Sequence, residues 1–148
     1  MNINLRHAGA AALSIAALAF AGCAEMSSMM HTHHMVNVTL TGAEEVPAVT
    51  TGARGAGSIT VGADKAVSGS VTTTNLAGAV AAHIHTGARG QNGPIAVGMV
   101  KTSDNVWSVP AGARLTDAQY DAFKAGNTYV NVHTPTHKGG EIRGQLHP

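Results

Sequence analysis

Val36-Asn37-Val38-Thr39-Leu40 alternates apolar and polar side chains without a break, and seven further short runs of strand-forming residues follow it before Pro148. Gly, Asn, Asp or Pro punctuates the sequence between them. A two-residue period marks a strand with one face on a core. The runs are 36–40, 57–61, 66–76, 79–85, 95–101, 106–109, 129–134 and 141–146. Eight short strands with tight turns predict an all-β fold, an antiparallel β-sandwich or Greek-key barrel. One short helix interrupts them. Thr116-Asp117-Ala118-Gln119 has the spacing of a capping box, and Gly126 is placed to end the helix in a left-handed cap. Tyr120 and Phe123 are three apart, so they share a face and can close one end of the barrel. Cys23 is the single cysteine, so residues 36–148 have no internal disulfide and must hold together by packing as one domain. The core expected from parity is Val38, Leu40, Ile59, Val61, Ile84, Val97, Trp107, Val130, Val132, Ile142 and Leu146.

The same parity sorts the chemistry-bearing side chains. Val80, Ala82 and Ile84 share the inner face, which leaves His83 and His85 outside. Val130 and Val132 point inward and Tyr129, Asn131 and His133 outward. In the last strand Ile142, Gly144 and Leu146 lie on one side, and Glu141, Arg143, Gln145 and His147 on the other. Three strands therefore carry imidazoles, a carboxylate and a guanidinium on the outside of a sheet. His83 and His85, about 7 Å apart along one face, are close enough to chelate one ion. His133 has the parity for a third ligand, and His137, in the turn Pro135–Gly139, is within reach as a fourth. All-nitrogen ligation suits copper or zinc. Glu141 would then orient a ligating imidazole, Arg143 would attract an anion, and Asn131 would support the group. A second reading fits equally: the histidines bond one another, Asn131 and loop backbones, and fix the loops on the sheet. No nucleophile–base–acid grouping, carboxylate pair or phosphate loop occurs, which argues against a hydrolytic enzyme.

The first 35 residues differ in kind. Arg6 precedes a run from Ala8 to Ala21 that is apolar and alanine-rich, ending in Gly22-Cys23. About 14 apolar residues are fewer than the roughly 20 that span a bilayer and suit a signal-peptide core. Small residues before a lone cysteine resemble the lipobox of bacterial lipoproteins, with Phe20 where that pattern prefers leucine. Residues 1–22 thus read as a lipoprotein signal peptide, and Cys23 as the lipidation site of a protein exported to the periplasm or cell surface and held on a membrane. Ala24, in place of aspartate, favours the outer membrane. Residues 23–35 read as a flexible tether. It carries four methionines and three histidines, ligand types that soft and borderline metals prefer.

Without residues 1–22 the chain keeps eight basic and eight acidic residues and four aromatics. Phosphate neutralisation and base stacking both lack their residues, so nucleic acid is not the expected partner. A short repeat also stands out. Thr51-Gly-Ala-Arg-Gly55 leads into Gly57-Ser-Ile-Thr-Val-Gly62, and Thr86-Gly-Ala-Arg-Gly90 into Gly93-Pro-Ile-Ala-Val-Gly98. Two similar hairpins related by pseudo-symmetry are expected, with Arg54 and Arg89 bracing the loops or binding an anion.

Thr41-Gly42-Ala43-Glu44-Glu45-Val46-Pro47, Ala82-His83-Ile84-His85-x-Gly87, Asn92-Gly93-Pro94, Tyr129-x-Asn131-x-His133-Thr134 and Gly140-Glu141-Ile142-Arg143-Gly144-Gln145-Leu146 together resemble the CHRD domain. That domain occurs as repeats in chordin and as single copies in exported bacterial proteins. The resemblance covers residues 36–148 and implies an extracytoplasmic β-domain. His-x-His-x-Gly is also similar to the copper-binding strand of Cu,Zn superoxide dismutases, although the structural disulfide and the long zinc-binding loop of those enzymes have no counterpart here. Three functions follow as expectations: a lipid-anchored binding module with a protein or other ligand, a copper-handling protein, and a superoxide-reactive metalloenzyme.

Overall fold

The computed structural model describes residues 33–148. The expected signal peptide, Cys23 and residues 23–32 of the expected tether lie outside the described residues. Eight antiparallel strands close into a barrel: β1 (His33–Thr41), β2 (Arg54–Gly62), β3 (Val67–Thr74), β4 (Ala81–Thr86), β5 (Ile95–Ser103), β6 (Val106–Ser108), β7 (Thr128–His133) and β8 (Ile142–Leu146). Around the barrel the order is β1-β2-β3-β6-β5-β4-β7-β8, and closure leaves no unpaired sheet edge. The first six strands form two three-stranded meanders, β1–β3 and β4–β6, set against each other at the β3–β6 seam. The repeated segments sit in matching places, one between β1 and β2 and the other between β4 and β5. Arg54 donates to the Thr51 and Ala53 carbonyls, and Arg89 pairs with Glu44. Both arginines brace loops.

All eleven residues of the expected core are buried. Helix α1 (Asp117–Lys124) has the full capping box, with Thr116 Oγ1 accepting from Gln119 N and Gln119 Oε1 accepting from Thr116 N. Gly126 follows in the left-handed region at φ +71°. Phe123 enters the core, and Tyr120 packs beside it. No helix among the described residues is long and apolar enough to cross a membrane.

Three local expectations change. β1 starts at His33, three residues before Val36, because the His33, His34 and Met35 backbones pair with Gly62, Val61 and Thr60. Backbone pairing extends a strand whatever its side chains, and the His-His-Met composition hides it. β3 stops at Thr74 because Asn75 takes φ +54°, a conformation asparagine tolerates better than most residues. Val80 does not share the inner face of β4; it precedes the strand and is 62% exposed.

β5 carries a bulge. Ile84 pairs with Val97 but His85 pairs with Ile95, so Ala96 is skipped. A skipped residue reverses side-chain facing. Val97 therefore points into the core, while Ile95 lies outside beside His85, 53% exposed. Its counterpart in the first repeat, Ile59, is fully buried.

Candidate metal centre

β4 and β7 run side by side, with Ala81 opposite His133, His83 opposite Asn131 and His85 opposite Tyr129. Their outward residues are not open to water as an outer sheet face would be. The loops 42–53, 87–94 and 134–141 lie over them, so Tyr129, Asn131, His85 and Arg143 are all buried. Polar alternation marks a face turned away from the core; it does not distinguish water from a polar layer beneath loops.

His83, His85 and His133 converge. One ring nitrogen from each lies within 4.8 Å of the others. His85 Nδ1 is 2.9 Å from the Gly93 carbonyl and His133 Nδ1 is 3.0 Å from the Lys138 carbonyl. Carbonyl oxygens only accept, so both Nδ1 atoms carry the proton, and in the neutral ring each Nε2 is a bare lone pair. His133 Nε2 lies 2.9 Å from His83 Nδ1, which must then donate to it. His85 Nε2 is buried with no hydrogen-bond partner within 3.5 Å, although the Asn131 side chain is near enough to act on the ring. Burial, reinforced by the neighbouring imidazoles, pushes His83 below its ordinary value. Burial likewise lowers His85 and His133, outweighing the carbonyl hydrogen bonds and, for His85, the Asn131 side chain, which act the other way. These shifts favour the neutral ring, the protonation state that binds a metal.

The ring of His85 is fixed from behind. It stacks on Tyr129 at 4.9 Å between centroids with planes 5° apart. The Arg143 guanidinium lies 3.4 Å from the centre of the Tyr129 ring. Arg143 is 1% exposed and donates to the Ala88 and Gln91 carbonyls, Asn92 Oδ1 and Gln145 Oε1. It therefore holds the 87–94 loop, the loop whose Gly93 carbonyl orients His85. Gln145 adds a hydrogen bond to the Gly87 carbonyl. Buried and donating to these four acceptors, the guanidinium is not presented to an incoming anion.

His137 and Glu141 stand apart from the three rings. His137 Nδ1 is 3.1 Å from Glu141 Oε2, and Glu141 also accepts from Thr51 and Thr134. Burial raises the Glu141 carboxyl, but these hydrogen bonds outweigh it and hold it below its ordinary value. This pair clamps the 134–141 loop. Asn131 donates to the Gly139 carbonyl in the same loop, the loop that presents the Lys138 carbonyl to His133.

The motif Glu44-Glu45-Val46-Pro47 conceals a residue that alternation could not reveal. Glu45 is 5% exposed, and its Oε1 has no hydrogen-bond partner. Burial raises its carboxyl to about 7, against the opposing pull of Arg143 and the Val46 N–H. Gly140, at φ +129°, makes room for it: a Cβ there would sit 2.3 Å from Glu45 Oε1 and 2.7 Å from Asn131 Nδ2. A charged pair beside a proline carries no sign of burial.

The three imidazoles form part of the wall of a depression of about 590 Å³, completed by Val80, Ala81, Ile95, Thr134, Pro135 and Lys138. Most of this wall is apolar, and Ile95 belongs to it because of the β5 bulge. The chain matches the family described as the CHRD domain over residues 36–146. No curated protein and no solved structure matches it. The family match spans most of the chain and nearly all of the barrel, and the chain belongs to the CHRD domain family.

Proposed function

We propose that this CHRD domain is an envelope binding module, lipid-anchored through Cys23, whose outer layer holds one copper or zinc ion between His83, His85 and His133. One observation carries the metal reading. Two of the imidazoles donate Nδ1–H to backbone carbonyls and turn the Nε2 lone pair to the group; that of His133 accepts from His83, and that of His85 is buried without a donor within 3.5 Å. Ligating histidines characteristically donate their second nitrogen in this way. A lone pair buried for hydrogen bonding alone would be expected to have found a donor. At bond lengths of about 2.0–2.1 Å, ligating nitrogens sit roughly 3–3.5 Å apart, so small side-chain rotations close the group. Among divalent ions copper is favoured for nitrogen donors. The centre is then a three-nitrogen site with an open position facing the depression.

Isothermal titration of Cu(II) at pH 7 tests this. The full chain should bind one ion more than His83→Ala, His85→Ala or His133→Ala. Each variant should weaken that ion by about 100-fold or more, at least the effect of losing an outer hydrogen bond to a ligand. His137→Ala and His147→Ala should keep it. Because burial lowers all three rings, binding should persist to a pH below 6.5 before protons compete. Equal stoichiometry and affinity in wild type and His133→Ala would leave the histidines as a hydrogen-bonded network that fixes the loops.

The anchor rests on the small residues before Cys23 and the apolar run from Ala8 to Ala21. Mass spectrometry of the protein from its native membrane should find the chain starting at Cys23 with added acyl mass, and Cys23→Ser should release it. A soluble native form with an unmodified cysteine contradicts this.

A further inference from the structure

The open position of this centre faces a depression whose wall is mostly apolar. Val80, Ala81, Ile95 and Pro135 contribute to its wall, and the volume of about 590 Å³ suits a small organic molecule. The exposed Ile95 and Val80 are there for structural reasons, a bulge in β5 and the late start of β4. Large apolar side chains beside a polar cluster are worth explaining when they surround a concavity. Lys138 is the one lining residue with a fixed charge, and among the described residues it forms no ion pair.

These observations select the chemistry of an occupant. A three-nitrogen Cu(II) or Zn(II) centre completes its coordination with an oxygen or nitrogen donor, and an anionic one is favoured by the charge of the ion. Lys138 favours a negative charge on the same molecule. The apolar wall gains nothing from a bare inorganic anion, which would leave it wet, whereas a branched aliphatic or aromatic body removes it from water. We propose that the centre takes a small organic carboxylate with an apolar body, its carboxylate on the metal within reach of Lys138 and its body against Val80, Ile95 and Pro135. This rests on the metal reading above.

The test compares benzoate with acetate on the copper-loaded full chain, following the visible absorption and electron paramagnetic resonance of the ion. The signal that disappears in His133→Ala identifies the centre. Benzoate should perturb that signal with an affinity at least about tenfold higher than acetate, as expected for the additional apolar area buried. Ile95→Ser should reduce the preference for benzoate. Lys138→Gln, whose backbone carbonyl still receives the His133 proton, should weaken both carboxylates together. If wild type loads copper at the centre but binds benzoate no better than acetate, the apolar-ligand proposal is overturned and the metal reading stands. If wild type and His133→Ala give the same copper signal, both fall.

Discussion

Replacing Arg143 with alanine is expected to destabilise the domain by about 3–5 kcal/mol, the scale for removing one member of a buried charged network. Four groups lose their donor at once: the Ala88 and Gln91 carbonyls, Asn92 Oδ1 and Gln145 Oε1. The Tyr129 ring loses the cation over its face, which in a desolvated place contributes up to about 2 kcal/mol within that total. Arg143→Lys should recover little, because a single ammonium cannot reproduce a planar fork that reaches carbonyls on several sides. Urea denaturation of both variants measures the loss, and a lysine variant within about 1 kcal/mol of wild type would show that the fork is not what holds the loop. A second readout separates positioning from bulk stability. Where the lysine variant is still folded, its copper affinity should fall about 10–100-fold, because the loop that sets the Gly93 carbonyl against His85 has lost its hold.

Glu45→Gln should act in the opposite direction and only above mildly acidic pH. The carboxyl moves from 4.5 in the unfolded chain to about 7 in the fold, chiefly because burial disfavours the charged form. A raised carboxyl favours folding fully below pH 4.5, and that contribution is lost as pH rises through about 7. At about 1.4 kcal/mol per pH unit, the ionised carboxylate costs the native state about 3 kcal/mol at pH 8. Glutamine keeps the shape and carries no charge, so it removes the cost of burying the ionised form. The variant should match wild type at pH 4.5 and exceed it by up to about 3 kcal/mol at pH 8, read from denaturation curves at the two pH values. Lower stability than wild type at pH 8 would mean that attraction to Arg143 outweighs the cost of burying the charge.

Both residues mark the limit of what strand alternation conveys. Period two placed Val130 and Val132 inside and His133 outside, and the same parity carried His83 and His85 to one face. Histidines at i and i+2 on a strand, with a third of matching parity on another, are legible without coordinates. Alternation is silent about what lies above a polar face. Arg143 and Tyr129 look solvent-facing in sequence, yet they form a buried stack under a loop whose two ends are joined by β4 and β5. His137 and Glu141 sit in sequence as though aimed at the imidazoles; the turn at 134–140 instead closes them on each other. Glu45 and Ile95 were illegible for different reasons. One depends on a glycine 95 positions away that leaves room for a carboxylate, the other on a skipped residue that reverses a side chain.

β8 pairs with β7 on one side and with β1 on the other, and it is also the strand that carries Arg143 and Gln145, preceded by Glu141. A ribosome makes this strand after the other seven. Until it emerges, β1 and β7 each keep an open edge, and the loops at 87–94 and 134–141 lack the side chains that order them. Closure of the barrel and the ordering of the loops over the three histidines thus depend on the same last strand. A chain ending before residue 141 contains His83, His85 and His133 but lacks Glu141, Arg143 and Gln145, which brace the loops whose carbonyls orient two of those rings. The three histidines take up their described arrangement only with the last strand joined to the first.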